Sequence, residues 1–185
     1  MIFFLAGVHG VGKTSLSSRL SDKLKIPTIS AGALIQKQIK HPTWSSDKKT
    51  KEILHNQLRL ISAVQAYHLQ VKDFILDGHF SLLNESGEVT SIEVDIFDAL
   101  KLSGVIFIED QPREIAARLE ARDTVSWDVD LIAALQKSEK KVAFQLRDTF
   151  NIPLLISEPK FFESVYEFIF EIMKKSRSES FEGMK

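Results

Sequence analysis

The residues with the clearest potential for chemistry lie near the N-terminus. Gly7, Gly10 and Gly12 lead directly into Lys13 and Thr14. Glycines let backbone N–H groups turn inward without a Cβ clash, so that these groups can surround phosphate oxygens. A lysine at this position can reach the β- and γ-phosphates of a nucleotide, and the following hydroxyl can bind Mg²⁺. The spacing therefore predicts a phosphate-binding loop (P-loop).

The flanking sequence supports this interpretation. An apolar run at residues 2–5 precedes the loop, and helix-favouring residues 15–24 follow it. A strand, a glycine-rich loop and a helix form the context in which this motif binds phosphate, because the helix N-terminus adds partial positive charge. The residues predicted to contact the nucleotide are Gly10, Val11, Gly12, Lys13, Thr14 and Ser15, together with Arg118 from a later helix.

A second chemical position is Asp77, which directly follows a predicted strand at residues 74–76. Enzymes with a P-loop need a carboxylate at the end of a neighbouring strand to orient the metal, so Thr14 and Asp77 are the predicted Mg²⁺ ligands. The alternative is that Asp77 caps the following turn. Many mechanical ATPases place a glutamate after this aspartate to activate water, but Gly78 stands there. This argues against an AAA-type motor and for transfer to an acceptor other than water.

Two arginines are candidates for contacting charge in the transition state. Arg118 and Arg122 are four residues apart, on one face of a helix that ends just before a short polar insert at about residues 122–128. We expect this insert to act as a lid over the phosphates, and the alternative is a solvated helix end favoured by the helix dipole. Lys141 and Arg147, on the long helix after the insert, could face the same phosphates or solvent.

The elements that must position these residues alternate between strand and helix, which predicts an α/β fold with a parallel sheet and helices on both faces. The predicted strands cover residues 2–5, 27–30, 74–76, 104–109 and 153–156, and the predicted helices cover residues 13–24, 31–40, 46–70, 92–100, 112–121, 129–150 and 161–175. A turn signal at residues 84–87 favours a small hairpin. We expect one domain over residues 1–175 and a frayed polar tail at residues 176–185.

Composition sets limits on the function. The chain has 185 residues, of which 44% are hydrophobic and 26% charged, and its net charge of −1 gives no basic footprint for direct nucleic-acid binding. It has no cysteine, which excludes a thiol nucleophile and a cysteine zinc site. The N-terminal apolar run is too short for a signal peptide or a membrane span. We therefore expect a cytoplasmic enzyme, monomeric or homodimeric, with no membrane association.

Three segments of the chain resemble the nucleoside monophosphate kinases of the adenylate kinase group. They are the loop at residues 7–14, the Asp-x-His pattern at residues 77–79 and the arginine-containing helix at residues 118–122. The chain is most similar to archaeal-type adenylate kinases and to adenylate-kinase-like ATPases linked to ribosome maturation. The resemblance implies a three-layer α/β/α P-loop NTPase fold with five parallel strands in the order 2-3-1-4-5, Mg²⁺-ATP as phosphoryl donor and a nucleoside monophosphate as acceptor.

The acceptor side departs from the family pattern. Ser30 and Gly32 resemble the segment that lines the acceptor base site in adenylate kinases, but Gln36 stands where the family has an arginine for the acceptor phosphate. Arg59, on the following helix, is the candidate replacement. His79 either binds the acceptor phosphate, positions a water or packs at the top of the sheet. The side chain of His9 is expected to point outward.

The leading hypothesis is therefore an ATP-dependent kinase of a nucleoside monophosphate. Its expected catalytic residues are Lys13, Asp77, His79, Arg118 and Arg122. Two alternatives remain at this stage. One is a nucleotide-dependent switch or assembly factor, in which slow ATP hydrolysis controls a protein partner. The other is a kinase of a non-nucleotide metabolite, because such enzymes share the same core.

Overall fold

The structure is a computed structural model that describes residues 1–37, 53–123 and 126–182. Its strands are β1 (Ile2–Ala6), β2 (Thr28–Ser30), β3 (Phe74–Gly78), β4 (Ser81–Leu83), β5 (Val89–Ser91), β6 (Gly104–Ile108) and β7 (Leu154–Ser157). Its helices are α1 (Lys13–Leu24), α2 (Ala31–Gln36), α3 (Ile53–His68), α4 (Val94–Leu100), α5 (Pro112–Asp123), α6 (Val129–Phe150) and α7 (Phe162–Glu182).

Five strands form one parallel sheet in the order β2-β3-β1-β6-β7, and β4 and β5 form a separate antiparallel hairpin. Counted along the chain without the hairpin, the order is 2-3-1-4-5, which confirms the predicted topology. The hairpin lies where the turn signal predicted it. In the register of β1 and β3, Leu5 pairs with Asp77 and Ala6 with Gly78. The P-loop and Asp77 therefore leave the sheet side by side.

Apolar side chains cover both faces of this sheet. Phe4 and Ala6 belong to a core that includes side chains from α3, α4 and the C-terminal half of α6. Phe3 and Leu5 belong to a second core, with side chains from α1, α5 and α7. Every residue of β1 is buried, as expected for a central parallel strand covered on both faces. This arrangement confirms the three-layer α/β/α fold.

An aromatic cluster shapes the corner after β3. The rings of Phe4 and Phe80 stack with centroids 4.9 Å apart, and Phe97 meets both rings edge-on. A Cβ on Gly78 would lie 2.7 Å from the Phe4 ring and 3.4 Å from the Cβ of Ala31. The residue after Asp77 must therefore be small because of packing.

We expect Gly78→Ala to lower the free energy of unfolding by about 1–3 kcal/mol, since the added methyl meets a buried ring that cannot move away. Gly104→Ala is the matched control on β6, because its Cβ would meet no atom closer than 3.1 Å. Urea unfolding of both variants measures the difference. Equal stability losses would contradict the assignment of Gly78 to close packing.

Several predicted boundaries are corrected. Helix α7 runs to Glu182, so residues 176–182 continue the helix where a frayed tail was expected. Polar residues such as serine, arginine and glutamate tolerate a solvated helix, so their composition did not mark an end. Helix α2 ends at Gln36 and α5 continues through Asp123, so α2 is shorter and α5 longer than predicted. The predicted start of α3 at Ser45 or Ser46 lies outside the described residues. None of the helices within the described ranges has the length and apolar character that a bilayer span requires.

Candidate active site

The P-loop joins β1 to α1 in a conformation that requires glycine. Gly12, which precedes α1, has a φ of 110°, and Gly7 has a φ of 145°. A Cβ on Gly7 would also lie 2.5 Å from the carbonyl oxygen of Ile108. These positions are closed to other residues, so the loop keeps its backbone close to β6 and open toward the cavity described below.

Lys13 is buried inside the loop. Its Nζ donates to the carbonyl oxygen of Gly7 at 2.6 Å and lies 3.8 Å from Oδ1 of Asp77. Burial lowers the pKa of Lys13, and the charge of Asp77 opposes this effect. The ammonium group is therefore held at the centre of the loop, where phosphate oxygens can replace the carbonyl oxygen as acceptors.

A cavity of about 710 Å³ extends from the P-loop past Asp77 to α2 and α3. Its volume is in the usual range for small-molecule sites. Most of the predicted site residues line it: Gly10, Gly12, Lys13, Thr14, Ser15, Ser30, Gly32, Asp77, His79, Arg118 and Arg122. Of the predicted residues, Val11 and Arg59 are outside this lining. The tertiary structure thus brings together, around one cavity, predicted residues that are spread from Gly10 to Arg122 along the chain.

Thr14 and Asp77 both line the cavity beside Lys13. Burial raises the pKa of Asp77, and the neighbouring charge of Lys13 opposes the rise. Within the described ranges, no three His, Asp or Glu side chains form a cluster able to hold a metal alone. One hydroxyl and one carboxylate suit Mg²⁺, which takes most of its other ligands from phosphates and water in such sites. The two residues therefore fit the expected ion.

The two arginines of α5 reach the cavity in different ways. Arg118 Nη1 donates to the carbonyl oxygens of Gly10 at 3.3 Å and Val11 at 3.2 Å, and its Nη2 pairs with Asp110. Arg122 makes two hydrogen bonds of 2.7 Å to the carboxylate of Asp123. Arg118 is thus fastened to the P-loop itself.

The two cationic residues of α6 that the sequence analysis considered lie away from the cavity. Lys141 and Arg147 are exposed, and neither side chain lines this cavity. Arg147 pairs with Asp148 at 2.7 Å, and its guanidinium lies over the ring of Phe144. The exposure of both side chains favours the solvent-facing alternative.

At the wall of the cavity formed by α2 and α3, Ser30 caps α2 by accepting a hydrogen bond from the Ala33 amide at 3.4 Å. Gln36, at the end of α2, and the buried Asn56 of α3 also line the cavity. Arg59 donates to Oδ1 of Asn56 at 3.2 Å. Arg59 is therefore placed behind Asn56, and Asn56 is a site residue that the sequence analysis missed. Nothing in the sequence distinguishes this amide from others on a long helix.

His79 has a buried partner. Its Nδ1 lies 3.1 Å from Oε1 of Glu139, whose side chain is only 1% exposed. The His9 ring packs against the His79 ring with centroids 4.1 Å apart, which corrects the expectation that His9 points outward. Burial and the charge of Lys13 lower the pKa of His79 well below its ordinary value. Burial raises the pKa of Glu139 to about 8, so burial disfavours the charged form of both side chains.

Glu139 is the second site residue that the sequence analysis missed, and here a signal was present. The buried face of α6 also carries Ile132, Leu135, Val142 and Leu146, at helical spacing. Glu139 interrupts this apolar stripe, and glutamate is almost never fully buried unless it is paired. A charged residue at such a position indicates a specific partner inside the protein.

Comparisons with known proteins agree with this geometry. A family model described as an AAA domain matches residues 6–136. No curated protein matches the chain at a significant level. Among solved structures, shikimate kinase from Aquifex aeolicus is 17% identical with a TM-score of 0.55, and the match covers 96% of this chain and 98% of that one.

Two further solved structures share the fold. A gluconokinase from Sinorhizobium meliloti is 13% identical with a TM-score of 0.55, covering 98% of this chain and 95% of that one. The deoxyadenosine kinase of M. mycoides is 13% identical with a TM-score of 0.52, covering 95% of this chain and 99% of that one. At these identities the likenesses show a common fold, which is the fold of P-loop kinases.

Proposed function

Since the chain belongs to the AAA-domain family of P-loop proteins, we propose that it is an ATP-dependent kinase whose acceptor is a nucleoside monophosphate. The observation that carries the proposal is the single cavity that joins Lys13, Thr14 and Asp77 to a second wall on α2 and α3. A protein that only held ATP would not need this second wall. A kinase needs a phosphate-binding wall and a second wall for the acceptor, because donor and acceptor must lie side by side for transfer.

Each residue on the donor side has a role in this proposal. The P-loop amides and Lys13 bind the β- and γ-phosphates, and Thr14 and Asp77 hold Mg²⁺, which would neutralise phosphate charge when bound. Arg118 connects α5 to the loop carbonyls and sits where it can face the transferred group. Arg122 lines the cavity and is the cation that we assign to the acceptor phosphate.

The acceptor wall suits a nucleobase. Gln36 and Asn56 offer amide donors and acceptors, and Leu60 and Ile92 add apolar surface. Flat heteroaromatic rings are commonly bound by such a combination of apolar contact and a few polar groups. Because Gln36 and Asn56 are both amides, the wall can read a base edge without carrying charge.

One observation favours a second candidate. In the described part of the chain, α2 and α3 contribute no lysine or arginine to the cavity lining, whose cations are Lys13, Arg118 and Arg122. An uncharged acceptor with a hydroxyl group would fit such a wall. The second candidate is therefore a kinase of a hydroxylated small molecule. A third candidate is a switch in which slow ATP hydrolysis controls a protein partner. We also propose that the protein is monomeric or homodimeric and that it is cytoplasmic.

Measuring ADP formation tests the proposal. With Mg²⁺-ATP, we expect one of AMP, CMP, UMP, GMP or dTMP to raise ADP formation strongly, and Asn56→Leu to lower kcat/KM for that acceptor by about 10–100-fold. The KM for ATP should stay nearly constant, since Asn56 lies on the acceptor wall. Shikimate, gluconate and deoxyadenosine are the comparison acceptors, and Lys13→Met is the inactive control.

The outcomes separate the candidates. Stimulation by shikimate, gluconate or deoxyadenosine alone would replace the monophosphate acceptor by a hydroxyl acceptor. Slow Lys13-dependent hydrolysis that no acceptor raises would move the assignment to the switch. If Asn56→Leu changes the KM for ATP instead of the acceptor KM, the assignment of α3 to the acceptor wall is wrong.

A further inference from the structure

The hairpin formed by β4 and β5 has two different faces. Ser81 stands opposite Ser91 in the pairing of the two strands, and Leu82 comes next along β4. Successive side chains of a strand point to opposite faces, so Leu82 leaves the hairpin on the side away from the two serines. The amide of Ile92 donates to the carbonyl oxygen of Phe80 at 2.8 Å, which continues the register and places Ile92 on the same side as Leu82. Both Leu82 and Ile92 line the cavity of about 710 Å³.

The serine face of the hairpin is fastened to α6. Oγ of Ser138 lies 2.8 Å from Oγ of Ser81 and 3.0 Å from Oγ of Ser91, and the two hairpin hydroxyls are 3.4 Å apart. Each hydroxyl can donate one hydrogen bond and accept another, so the three can form a closed ring in which each donates to the next. A slip of one residue would turn the hairpin serines away from α6. This serine ring therefore fixes the register of the hairpin and its position on the helix.

The hairpin is also anchored in both cores of the protein. Phe80, the residue before β4, is fully buried and stacks on Phe4. On the serine face, Leu83 is buried in the second core, and Val89 packs against that core. Because hydrogen bonds and packing hold the hairpin from both sides, the side chains that it carries into the cavity form a fixed wall.

The chemistry of this wall continues that of α2 and α3. Ile35 of α2 and Leu60 of α3 line the cavity together with Leu82 and Ile92, and all four belong to or pack against the first core. Among the residues that the structure describes, α2, α3 and the hairpin contribute no charged side chain to the lining. Such a surface suits an uncharged ring and disfavours a phosphate group, which needs cations or N–H donors.

We propose that the β4–β5 hairpin determines which acceptor fits, with Leu82 and Ile92 limiting the size of the uncharged ring in this part of the cavity and the serine ring holding them in place. That this ring is a nucleobase rests on the proposed function. The size limit itself does not, because a fixed aliphatic wall restricts any acceptor that enters. Ser138 touches no substrate in this proposal and acts only by positioning the hairpin.

Two substitutions of Leu82 change the cavity in opposite directions. The quantity to measure is the ratio of kcat/KM for the purine monophosphate that the wild type uses best to kcat/KM for its best pyrimidine monophosphate. We expect Leu82→Ala to raise this ratio about tenfold and Leu82→Phe to lower it by a similar factor, since the wall recedes in the first variant and advances in the second. The KM for ATP should stay nearly constant in both.

Val89→Ala is the matched control. It removes apolar surface from the same hairpin on the face that does not line the cavity, so it should leave the ratio unchanged. Ser138→Ala tests the serine ring. We expect it to raise the KM for the acceptor several-fold, to leave the KM for ATP unchanged and to speed hydrogen exchange of the Ile92 amide. Ser138→Thr keeps the hydroxyl and should restore most of both effects.

The inference is overturned if the ratio stays within about twofold of the wild-type value in both Leu82 variants. Should Leu82→Phe fail to fold, Leu82→Ala and Ile92→Ala decide together. If no monophosphate is phosphorylated, the proposed acceptor is wrong, and the same ratio is taken for deoxyadenosine over the smaller shikimate. A shift of that ratio would leave the role of the hairpin intact. If neither set of acceptors raises ADP formation, the cavity holds no acceptor and both proposals fail.

Discussion

Lys13→Met is expected to lower kcat for ADP formation by about 10²–10³-fold, the usual loss for one donor that faces developing charge in a closed site. Nζ of Lys13 already lies at the centre of the loop, 2.6 Å from the Gly7 carbonyl oxygen. Methionine replaces the buried methylene stem with little change in volume, so the loss would report the charge and not a collapsed loop. Steady-state kinetics with Mg²⁺-ATP and the best acceptor measure it.

Stability supplies the control for this prediction. Burial of an ammonium group is costly, but its removal leaves Asp77 without a cation, so we expect these opposing effects to keep Lys13→Met folded, with a free energy of unfolding that differs from wild type by about 0.5–3 kcal/mol. Lys141→Met, on the exposed side of α6, should alter neither turnover nor stability. Turnover of Lys13→Met within threefold of wild type would show that ADP formation does not use this P-loop.

The second large effect is on the pH dependence of stability, and Glu139 is its source. We expect the wild-type free energy of unfolding to fall relative to that of Glu139→Gln by an amount on the order of 4 kcal/mol between pH 5 and pH 8. The unfolded glutamate ionises near pH 4.5, whereas the folded one stays protonated until about pH 8. In this window the folded state binds one more proton than the unfolded state, so stability is lost as pH rises.

Urea unfolding of both proteins at several pH values measures the difference, and taking the difference removes most of the contribution of groups common to both, apart from their coupling to Glu139. This matters because the raised pKa of Asp77 acts in the same direction and the lowered pKa of His79 acts in the opposite one. Parallel curves for wild type and Glu139→Gln would mean that Glu139 is ionised in the folded protein.

The residue after Asp77 limits what the family match implies about the reaction. The matching model is described as an AAA domain, yet the glutamate with which many mechanical ATPases activate water is absent here. Gly78 occupies this position under the ring of Phe4, where even a Cβ would clash. Family membership therefore describes the nucleotide-binding core, and the packing at Gly78 argues against a water-activating side chain at that position.

The features that the sequence by itself determined are local. The P-loop was predictable because Gly7 to Thr14 are consecutive, and their conformation depends on glycine and on the flanking strand and helix. The alternation of strands and helices predicted the sheet and both of its covered faces, because each apolar run had to be buried on a parallel sheet. Asp77 followed from its place at the end of a buried strand. The end of α7 was missed, since its polar residues are equally compatible with helix and coil.

The tertiary structure alone decided which distant side chains meet. Arg118 reaches the carbonyl oxygens of a loop more than 100 positions away, and Asn56, not Arg59, lines the cavity. Glu139 meets His79 across 60 positions, from a helix whose apolar stripe it interrupts. Spacing along one helix or loop carries no information about such pairs, because they form only when separate elements pack on the same edge of the sheet. The charge and hydrogen-bonding state of the site depend on that packing, through burial.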